Sequence, residues 1–557
     1  DVDMPVINFS YGDLCSLIGE EVPQSLLVDK IPLLGADMHD TEEGSDDMSV
    51  EFFPNRPDLY CVEGLARALR SFLGLQTGMQ EYHVEDTDIE VTIDRSVRSL
   101  RPYFLCGAVF DVEVDERLLK SMMELQEKLH LTIGRKRSKL AIGIHDLDRV
   151  VPPFTYSLED PKEARFVPLA KTEDMDLEEI LEKHEKGREY ADLLKGAEKY
   201  PIIRDSEGNV LSFPPIINGA LTTVTTETRN LFIDVTGTDR KAVKGALDIV
   251  CTALAERGGS IGAVHMHDGA DDFISPDLTP SDRMISSCKC DKFLGTALEP
   301  SGTADALRRM GLDAAPARDG SDGVFVSIPS TRLDIMHDVD IYEDVAAGHG
   351  FEKFGGPYKL DQTVASRLAD TVFSDNVRNV MIGLGYTEVT TLTLSNETEE
   401  FGISGIPEVD TVRIKNPITE DHTCLRANLF PSLMRILRHN RHRDLPQKIF
   451  EAGYVVRDCR NRLHLCAVMA ASKTSFTEAK SLTESILREI GCECSIESCG
   501  NETFVPGRGA LVIADGVPAG MFGEVSPKVV TDFEINHPVM MIELDLDIFV
   551  SESTSMF

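Results

Sequence analysis

The sequence contains no apolar run that approaches the ~18 residues a helix needs to span a membrane. Its first residues carry neither the basic region nor the apolar stretch of a secretory leader. The 12 cysteines among 557 residues are too sparse for a disulfide scaffold and favour a reducing compartment. Together these absences predict a cytoplasmic protein with no membrane segment.

Basic residues are also scarce. The chain has 56 lysines and arginines against 94 aspartates and glutamates, a net charge of −38. Such a surface repels phosphate at long range, which argues against a general DNA- or RNA-binding protein. A nucleic-acid partner must therefore be bound at local basic patches. Two stretches qualify, 134–139 (GRKRSK) and 435–448 (RILRHNRHRDLPQK). Without further context, a solvated surface is the simpler interpretation of either.

The length predicts about three to five domains, because one hydrophobic core does not extend over so long a chain. Changes of pattern, an acidic loop and a proline-rich linker divide the sequence into four blocks, 1–88, 89–270, 271–356 and 357–557. Apolar spacing predicts several elements in these blocks. They are helices from about 59, at 115–130 and at 239–257, a strand at 139–147 and further strands between 201 and 236.

The last block is the most informative. The stretch 412–456 predicts a strand, a turn at 416–417 (Asn-Pro), a helix, and a strand that carries Phe450 and Glu451. A hairpin, a short helix and a closing strand at about 539–547 are predicted after it. The separated motifs NP, LR, PSL and N, followed by F-E-x-G and G-E-V-x-P, make this block similar to the C-terminal part of phenylalanyl-tRNA synthetase beta subunits.

One feature of an ATP-activating class II synthetase is missing from this block. Such an enzyme needs an arginine in its third motif, because a neutral group cannot replace a charge-assisted contact to the ATP phosphates. After Arg508 the sequence has no arginine, and Lys528 is its only lysine. The block therefore resembles a degenerate class II module that lacks the ATP-binding arginine. An unrelated α/β domain would explain the missing arginine but not the matched positions.

The other blocks resemble the archaeal and eukaryotic cytosolic form of the same family. The stretch 55–74 (NRPDLYCVEGLARALRSFLG) is similar to its N-terminal signature, and 125–148 and 211–224 are similar to its editing domain. The resemblance implies an α+β multidomain protein. Its parts would be an N-terminal α/β domain, an editing domain, a small α/β domain with an acidic helix, and the degenerate antiparallel-sheet module.

The resemblance also implies a function, that of the beta subunit of phenylalanine-tRNA ligase. The alpha subunit would activate phenylalanine with ATP and transfer it to tRNA(Phe), in an (αβ)₂ heterotetramer. ATP would then be used by the complex but not bound by this chain. The alpha subunit and tRNA(Phe) are the expected partners, and neither DNA nor a membrane is expected.

The strand 231–236 is a candidate pocket wall. Strand geometry directs Leu231, Ile233 and Val235 to one face, and directs a ring, a carboxylate and a hydroxyl to the other. From the residues alone, a solvated face is about twice as probable as a pocket. The resemblance reverses this preference, because the family's editing pocket uses matching positions. The implied pocket residues are Asp234 and Thr236, with Gln126, Arg137, Ser212 and Asn218.

The chemistry of misacylation explains why a second site is needed. An apolar pocket for phenylalanine rejects tyrosine by only ~10²-fold, whereas a site that hydrogen-bonds the phenol can discriminate by ~10⁴–10⁵-fold. The sequence around this strand has no G-x-S-x-G elbow and no evident Cys/His pair. The family implies a positioned water that hydrolyses tyrosyl-tRNA. Whether Asp234 and Thr236 hold the substrate side chain or the water stays open.

An acidic group follows in the third block. With a helix that starts near Val339, Asp340, Glu343 and Asp344 share one face at i, i+3 and i+4. Asp334 lies just before it. Carboxylates at a helix N-terminus are stabilised by the helix dipole and need no metal. However, like charges on one face repel, and oxygen ligands suit Mg²⁺. The resemblance implies a magnesium site shared with the alpha subunit at these four positions.

Two other functions fit parts of the pattern. One is a scaffold or tRNA-binding subunit with no chemistry of its own. The other is a free-standing aminoacyl-tRNA deacylase. The first predicts no hydrolysis by the chain in any context, and the second predicts activity without a partner.

Overall fold

The computed structural model of the protein describes residues 5–39, 44–269, 271–355 and 365–553. The chain divides into two compact units, Asp1–Tyr358 and Lys359–Phe557. This division falls beside the predicted boundary at 356–357, while the other predicted boundaries stay predictions. Within the described ranges, no helix combines the length and the apolar character needed to cross a membrane.

The first unit begins with a small sheet flanked by helices. Its elements are β1 (Val6–Ser10), α1 (Tyr11–Ile18), α2 (Gln24–Lys30), β2 (Ala36–Met38), β3 (Asp47–Phe52) and α3 (Val62–Phe72). The sheet is antiparallel in the order β1-β3-β2. The helix predicted from Leu59 begins at Val62, because Pro57–Leu59 forms a tighter 3₁₀ turn before it. Leu65 and Leu69 of α3 are fully buried, as the apolar spacing predicts.

The next part of the first unit contains two larger sheets. Its strands are β4 (Val84–Glu85), β5 (Glu90–Ile93), β6 (Tyr103–Phe110), β7 (Leu140–Asp146), β8 (Phe154–Glu159), β9 (Arg165–Phe166), β10 (Met175–Asp176), β11 (Tyr200–Arg204), β12 (Val210–Phe213), β13 (Ile217–Asn218), β14 (Leu231–Gly237), β15 (Ser260–Gly262), β16 (Val264–Asp268) and β17 (Asp271–Ser275). Its helices are α4 (Glu116–Leu131), α5 (Leu177–Lys183), α6 (Glu185–Tyr190) and α7 (Arg240–Ala255). Five strands pair in the order β4-β15-β6-β14-β7, and seven in the order β13-β12-β11-β8-β5-β16-β17.

Two long helices cover one face of the five-stranded sheet. The Asp115 side chain caps α4 by accepting from the Leu118 N–H at 2.7 Å, and Asp239 caps α7 by accepting from the Ala242 N–H at 3.2 Å. Both helices match the predictions at 115–130 and 239–257 closely. One hydrophobic cluster contains the buried faces of α3, α4 and α7 together. The predicted block 1–88 therefore shares its core with the five-stranded sheet.

The two faces of β14 divide as its alternation predicts. Leu231, Ile233 and Val235 belong to the cluster beneath α4 and α7, whereas Phe232 packs in a second cluster against the seven-stranded sheet. Every residue of β14 is buried. The solvated face that the residues alone favour is therefore wrong, because a second sheet covers it.

A small α/β part closes the first unit. It consists of β18 (Ser281–Ser286), α8 (Ser287–Leu294), α9 (Glu299–Arg309), β19 (Asp313–Pro316), β20 (Gly323–Ile328) and α10 (Asp338–His349). The strands pair antiparallel in the order β18-β20-β19. Three helices surround this sheet, and the acidic helix predicted to start near Val339 is α10, which begins at Asp338.

The second unit is built on one large sheet. Its elements are α11 (Ala369–Gly383), β21 (Thr387–Glu388), β22 (Leu394–Ser395), β23 (Cys424–Leu425), α12 (Phe430–His439), β24 (Gln447–Arg457), β25 (Arg460–Ala470), α13 (Phe476–Glu489), β26 (Ser495–Ser498), β27 (Phe504–Ala514), β28 (Val517–Val525), α14 (Pro527–Asp532), β29 (Val539–Asp545) and α15 (Asp547–Ser553). Seven strands pair in the order β21-β24-β25-β29-β28-β27-β26, and all pairs except β21 with β24 are antiparallel.

Most elements predicted for this unit are present, with one exception. The helix, the strand with Phe450 and Glu451, the hairpin of β27 and β28, and the closing strand all form. The strand predicted at the start of 412–456 is wrong. In this described stretch Arg413 alone makes a bridge, to Cys424, and the Asn-Pro turn that begins three residues later ends any further pairing.

Candidate active site

A cavity of about 330 Å³ lies in the first unit between α4, β7, β14 and the segment 212–218. Five of the six predicted editing residues line it: Gln126, Arg137, Ser212, Asn218 and Asp234. They come from four separate stretches of the chain, so only the tertiary fold brings them together. Apolar walls from Ile142, Ile216 and Ile217 complete the cavity.

Asp234 provides a buried carboxylate at the cavity wall, with 2% of its surface exposed. Its Oδ2 accepts a hydrogen bond from His145 Nε2 at 2.7 Å and a longer one from Ser212 Oγ at 3.5 Å. The other ring nitrogen, His145 Nδ1, lies 2.7 Å from Thr222 Oγ1. Within the described part of the chain, Asp234 Oδ1 accepts no hydrogen bond. One carboxylate oxygen is thus fixed by the imidazole, and the other is available to a ligand.

His145 is a site residue that the sequence does not reveal. It is fully buried and lies on β7, which pairs with β14 so that Gly143 is opposite Asp234. Cross-strand neighbours share a face, so His145 and Asp234 point to the same side of the sheet. The sequence signal that could have indicated His145 is its alternation with Gly143 along β7. It becomes informative only once β7 is known to pair with β14.

Gly143 leaves the room that this pair needs. A Cβ atom at Gly143 would lie 2.1 Å from Asp234 Oδ2 and 2.7 Å from His145 Nε2. These separations are far below van der Waals contact, and the obstructed atoms are buried and hydrogen-bonded. The strand therefore requires glycine at this position for the His145–Asp234 hydrogen bond to form.

Thr236, the sixth predicted residue, does not line the cavity. It lies on the same face of β14 as Asp234, and its hydroxyl accepts from Arg101 Nε at 3.3 Å. Arg101 Nη2 also donates to the Thr236 carbonyl at 2.9 Å, and Nη1 donates to the Arg137 carbonyl at 3.1 Å. Thr236 thus holds the buried Arg101, which in turn supports the basic loop. A direct contact of Thr236 with a substrate stays a prediction.

Arg137 is held across the mouth of the cavity. Its Nη1 donates to the carbonyl of Ile216 at 2.8 Å, and its guanidinium lies 4.5 Å from the centre of the Tyr190 ring. On the opposite wall, Gln126 Nε2 donates to the Ile142 carbonyl at 2.7 Å. These contacts tie the loop after α4 to the segment 212–218 and fix the shape of the opening.

A second buried imidazole stands behind the cavity. His130 Nε2 accepts from the Ile142 N–H at 2.8 Å, which leaves its proton on Nδ1, towards Glu127. Burial lowers the pKa of His130 to about 4, so the ring is neutral at physiological pH. His130, whose Nδ1 lies 3.6 Å from the Glu127 carboxylate, lowers the pKa of Glu127 to about 2 together with Arg137. Glu127 is therefore a permanent negative charge at the cavity rim.

The arrangement is suited to bind and orient a ligand, and the hydroxyl and thiol groups beside Asp234 are poorly placed to act as nucleophiles. Ser212 Oγ faces a carboxylate at 3.5 Å but no basic imidazole nitrogen. Cys106 is the β6 partner of Asp234, and burial raises the pKa of its thiol well above the usual range. A buried carboxylate with one free oxygen is suited to accept a hydrogen bond from a hydroxyl or phenol group.

The predicted magnesium ligands are arranged differently from the expectation. Arg332 donates to Asp334 through Nε at 2.9 Å and Nη2 at 2.7 Å, and to Asp344 through Nη2 at 2.8 Å. Asp340 accepts from the N–H groups of Met336 and His337 and caps α10. Glu343 is exposed. The cation that lies between Asp334 and Asp344 is therefore the Arg332 guanidinium.

These four residues, as they lie in this chain, do not fit a magnesium ion. Among the described residues, no group of three or more His, Cys, Asp or Glu side chains is arranged to hold a metal. Burial raises the pKa of Asp344 above its usual range despite the neighbouring Arg332, which further disfavours a charged metal ligand. The shared magnesium site stays a prediction.

The second unit contains a closed network of buried charges beside its sheet. Arg426 Nη1 lies 2.9 Å from Glu451 Oε1, with both side chains 4% exposed. Glu543 accepts from the N–H groups of Leu429 and Phe430 at the start of α12 and from His464 Nδ1. The buried arginine and histidine of this network are thus already bonded to carboxylates of the chain.

Glu400 gives this unit a pH-dependent stability. It is fully buried, burial raises its pKa to about 7 from an ordinary value of 4.5, and its Oε1 is unpaired. Since the folded state binds the extra proton between these two pH values, stability falls as pH rises through this window.

Glu400→Gln removes the titration. We expect no difference from wild type at about pH 5 and a gain of up to about 3 kcal/mol at about pH 8, measured by urea unfolding. An equal difference at both pH values would contradict this account.

Comparisons with known proteins match the chain along most of its length. Three family models match, described as the B3/4 domain over 114–251, the tRNA synthetase B5 domain over 284–351, and the phenylalanyl tRNA synthetase beta chain CLM domain over 359–546. The phenylalanine–tRNA ligase beta subunit of Methanothrix thermoacetophila is 43% identical over 98% of this chain and 100% of its own. The chain belongs to the phenylalanine–tRNA ligase beta-subunit family.

Further relatives are similar over the same extent. The beta subunit of Methanocaldococcus jannaschii is 40% identical over 98% of this chain and all of its own. A crystal structure of an N-terminal fragment of the Pyrococcus horikoshii beta subunit is 39% identical, with a TM-score of 0.60, and covers 62% of this chain and 100% of the fragment. The predicted family is confirmed, and with it the membership of an aminoacyl-tRNA synthetase, a ligase.

The cavity and the acidic group fall inside the matched regions. All five lining residues that were predicted lie within the B3/4 match, as does His145, and Asp334 to Asp344 lie within the B5 match. The mixed α/β multidomain fold is that of this family.

Proposed function

We propose that this chain is a non-activating subunit that supports ATP-dependent attachment of phenylalanine to tRNA(Phe) and hydrolyses tyrosyl-tRNA(Phe) in the cavity beside β14. The observation that carries the proposal is the buried His145–Asp234 pair at the cavity wall, in which Asp234 Oδ1 accepts no hydrogen bond from the described residues. The volume of about 330 Å³ suits a tyrosyl group with a small part of the ribose.

Selectivity for tyrosine follows from the cost of an unpaired buried charge. A tyrosyl phenol donates to Asp234 Oδ1, a hydrogen bond to a charged group that contributes about 1.5–3 kcal/mol. A phenylalanyl ring entering the same position covers the carboxylate without bonding it. The cavity therefore accepts the misattached amino acid and rejects the correct one, which is the property that editing requires.

Hydrolysis adds water across the ester. The water oxygen bonds to the tyrosyl carbonyl carbon, the bond from that carbon to the ribose oxygen breaks, and the ribose oxygen takes up a proton. The contribution of this chain is to fix the phenol at Asp234 and to hold the opening through Arg137 and Gln126. Orientation of this kind lowers the barrier without a protein nucleophile.

The RNA would approach over the basic loop at 134–139. Three consecutive non-glycine residues there, Arg135, Lys136 and Arg137, have left-handed φ angles of 45°, 52° and 63°. Each costs about 1–2 kcal/mol, and strain of this kind is concentrated at functional sites. The turn directs Arg137 to the cavity, whereas Arg135 and Lys136 are exposed and form no ion pair in the described part of the chain. Two free cations thus lie beside the opening.

Replacing both exposed cations is expected to weaken RNA engagement without altering the cavity. For Arg135→Ala with Lys136→Ala, we expect KM for tyrosyl-tRNA to rise about 10-fold. This is near the largest loss of binding expected when two exposed ion pairs with RNA phosphates are removed. The slope of log KM against log salt should fall by about 0.7 for each lost contact. Deacylation kinetics at several salt concentrations measure both quantities. Lys289→Ala with Lys292→Ala removes two exposed cations of α8 as the matched control. Equal behaviour of the two double variants would exclude the basic loop as an RNA contact.

The activating chemistry is assigned to an alpha subunit. The second unit lacks an arginine after Arg508, and its buried arginine and histidine are bonded to carboxylates. An (αβ)₂ assembly with tRNA(Phe) is the arrangement we infer from the family. ATP would be bound by the partner. In this chain Arg332 neutralises Asp334 and Asp344, two of the predicted magnesium ligands.

Two alternatives predict different results in one experiment. Preformed tyrosyl-tRNA(Phe) is incubated with the chain alone and with the chain co-purified with an alpha subunit. The proposal predicts hydrolysis by the complex and no ATP–pyrophosphate exchange by the chain alone. A scaffold subunit predicts no hydrolysis in either sample. A stable monomer with the full rate in the absence of a partner would support a free-standing deacylase.

A further inference from the structure

A second cavity, of about 550 Å³, lies in the first unit and is lined by residues other than those of the editing cavity. Its wall combines α3, the segment 78–83, Thr252 of α7 and the segment 329–332. Three guanidinium groups line it: those of Arg56, Arg67 and Arg332. None of the predicted editing residues lines this cavity.

Two of the arginines occupy the same local motif. Arg56 donates to Asp58 through Nε and Nη2, both at 2.8 Å, and Arg332 donates to Asp334 through Nε at 2.9 Å and Nη2 at 2.7 Å. Each is an Arg-x-Asp segment whose aspartate holds one edge of the guanidinium. Arg56 is 6% exposed and Arg332 is 7% exposed. The two forks are therefore fixed in position before any ligand binds.

Each guanidinium has donors that the protein does not satisfy. Arg332 Nη1 is buried and has no hydrogen-bond partner. Arg56 Nη1 makes no hydrogen bond within the described residues. Among the described residues, Arg67 donates from Nη1 to the Tyr82 hydroxyl at 3.1 Å and from no other nitrogen. A buried donor without an acceptor costs about 1–3 kcal/mol, and more when it is charged, so Arg332 Nη1 favours an acceptor beside it. The unbonded nitrogens of Arg56 and Arg67 are available to the same acceptor.

The side chains that line the cavity include more positive than negative groups, although the chain as a whole is strongly acidic. Three arginines line it against two carboxylates, those of Asp58 and Glu81, although the chain carries a net charge of −38. Asp334 and Asp344 bond Arg332 but do not line the cavity. The hydroxyls of Ser330 and Thr331 add neutral donors. A cavity of this composition attracts a compact anion.

We propose that this cavity binds a phosphate group, either free or as the monoester of a small organic molecule. Guanidinium N–H groups donate charge-assisted hydrogen bonds to phosphate oxygens, and the Nη1 groups of Arg56 and Arg332 and the guanidinium of Arg67 supply such donors here. Phosphate alone fills only part of about 550 Å³, so the volume also admits an attached group of nucleoside size. Binding would join α3, α7 and the small α/β part of the first unit, and it does not depend on the editing activity.

The test is isothermal titration of the full chain with inorganic phosphate and separately with AMP, at constant ionic strength maintained with NaCl. We expect saturable binding of at least one of them, with one site per chain. Tighter binding of AMP would identify a phosphomonoester as the ligand, and equal or weaker binding would identify free phosphate. The absence of saturable binding of both anions would overturn the proposal, and the three arginines would then form only an internal ion-pair network.

Variants of α3 place the ligand in this cavity. Arg67→Gln is expected to weaken binding about 10- to 100-fold, the effect of losing one charged hydrogen bond. Arg70→Gln removes the same charge one helical turn later, and Arg70 bonds Glu256 and does not line the cavity, so its affinity should match wild type. Ala68→Leu fills the cavity without a change of charge and should also weaken binding. Equal affinities of wild type, Arg67→Gln and Ala68→Leu would contradict the assignment.

Discussion

Asp234→Ala is expected to slow hydrolysis of tyrosyl-tRNA(Phe) by about 10²–10³-fold while phenylalanylation by the complex is unchanged. The substitution removes the buried carboxylate at the cavity wall, and it leaves the phenol without that acceptor. Asp234→Asn keeps the shape and an acceptor for His145, so we expect a smaller loss of about 10- to 100-fold. Deacylation of preformed substrate and aminoacylation with phenylalanine are measured on the same preparation.

A second buried aspartate provides the matched control. Asp248 lies on α7, is fully buried and bonds Lys244 at 2.8 Å, and burial raises its pKa to about 6. Asp248→Asn makes the same chemical change outside the editing cavity and should leave hydrolysis of tyrosyl-tRNA at the wild-type rate. If both aspartates had the same effect, the loss would reflect general destabilisation. If neither had an effect, Asp234 would have no role in editing.

Gly143→Ala adds one methyl group and is expected to slow hydrolysis of tyrosyl-tRNA(Phe) by about 100-fold or more. The new Cβ would lie 2.1 Å from Asp234 Oδ2, so the carboxylate and the His145 ring must separate. Forcing atoms into a filled interior also costs about 1–3 kcal/mol of stability. Deacylation kinetics and urea unfolding of the same variant measure the two effects.

The control for this variant is another glycine with space around it. A Cβ at Gly383, at the end of α11, would meet no atom within 4 Å, and alanine suits a helix better than glycine by up to about 1 kcal/mol. Gly383→Ala should therefore hydrolyse tyrosyl-tRNA at the wild-type rate, with equal or greater stability. Wild-type hydrolysis by Gly143→Ala would show that the His145–Asp234 hydrogen bond is not needed for editing.

The sequence predicts β14 well because alternation is a local property. Leu231, Ile233 and Val235 face one core and Phe232 faces another, as strand geometry requires. Whether the second face is solvated depends on a sheet formed by strands far away in the sequence. The residues alone therefore favoured the wrong environment for Asp234, and only the family resemblance pointed to a pocket.

Tertiary pairing explains the rest of what was missed at the site. His145 becomes a partner of Asp234 through the register of β7 against β14, which no local pattern specifies. The hydrogen bond from Arg101 to Thr236 also joins residues far apart in the sequence, and Thr236 does not line the cavity. In the acidic segment, the sequence predicts repulsion among the carboxylates but does not show which cation lies beside them. The fold places Arg332, two residues before Asp334, against both Asp334 and Asp344.

The most direct measurement of the central claim compares two substrates on the wild-type complex. Tyrosyl-tRNA(Phe) and phenylalanyl-tRNA(Phe) are prepared separately, and the first-order rate of deacylation of each is followed at equal enzyme concentration. The free oxygen of Asp234 predicts that the tyrosyl ester is cleared at least about 100-fold faster, because only its phenol satisfies the buried carboxylate. Equal rates for the two esters, or no hydrolysis of either, would contradict a tyrosine-selective editing site in this cavity.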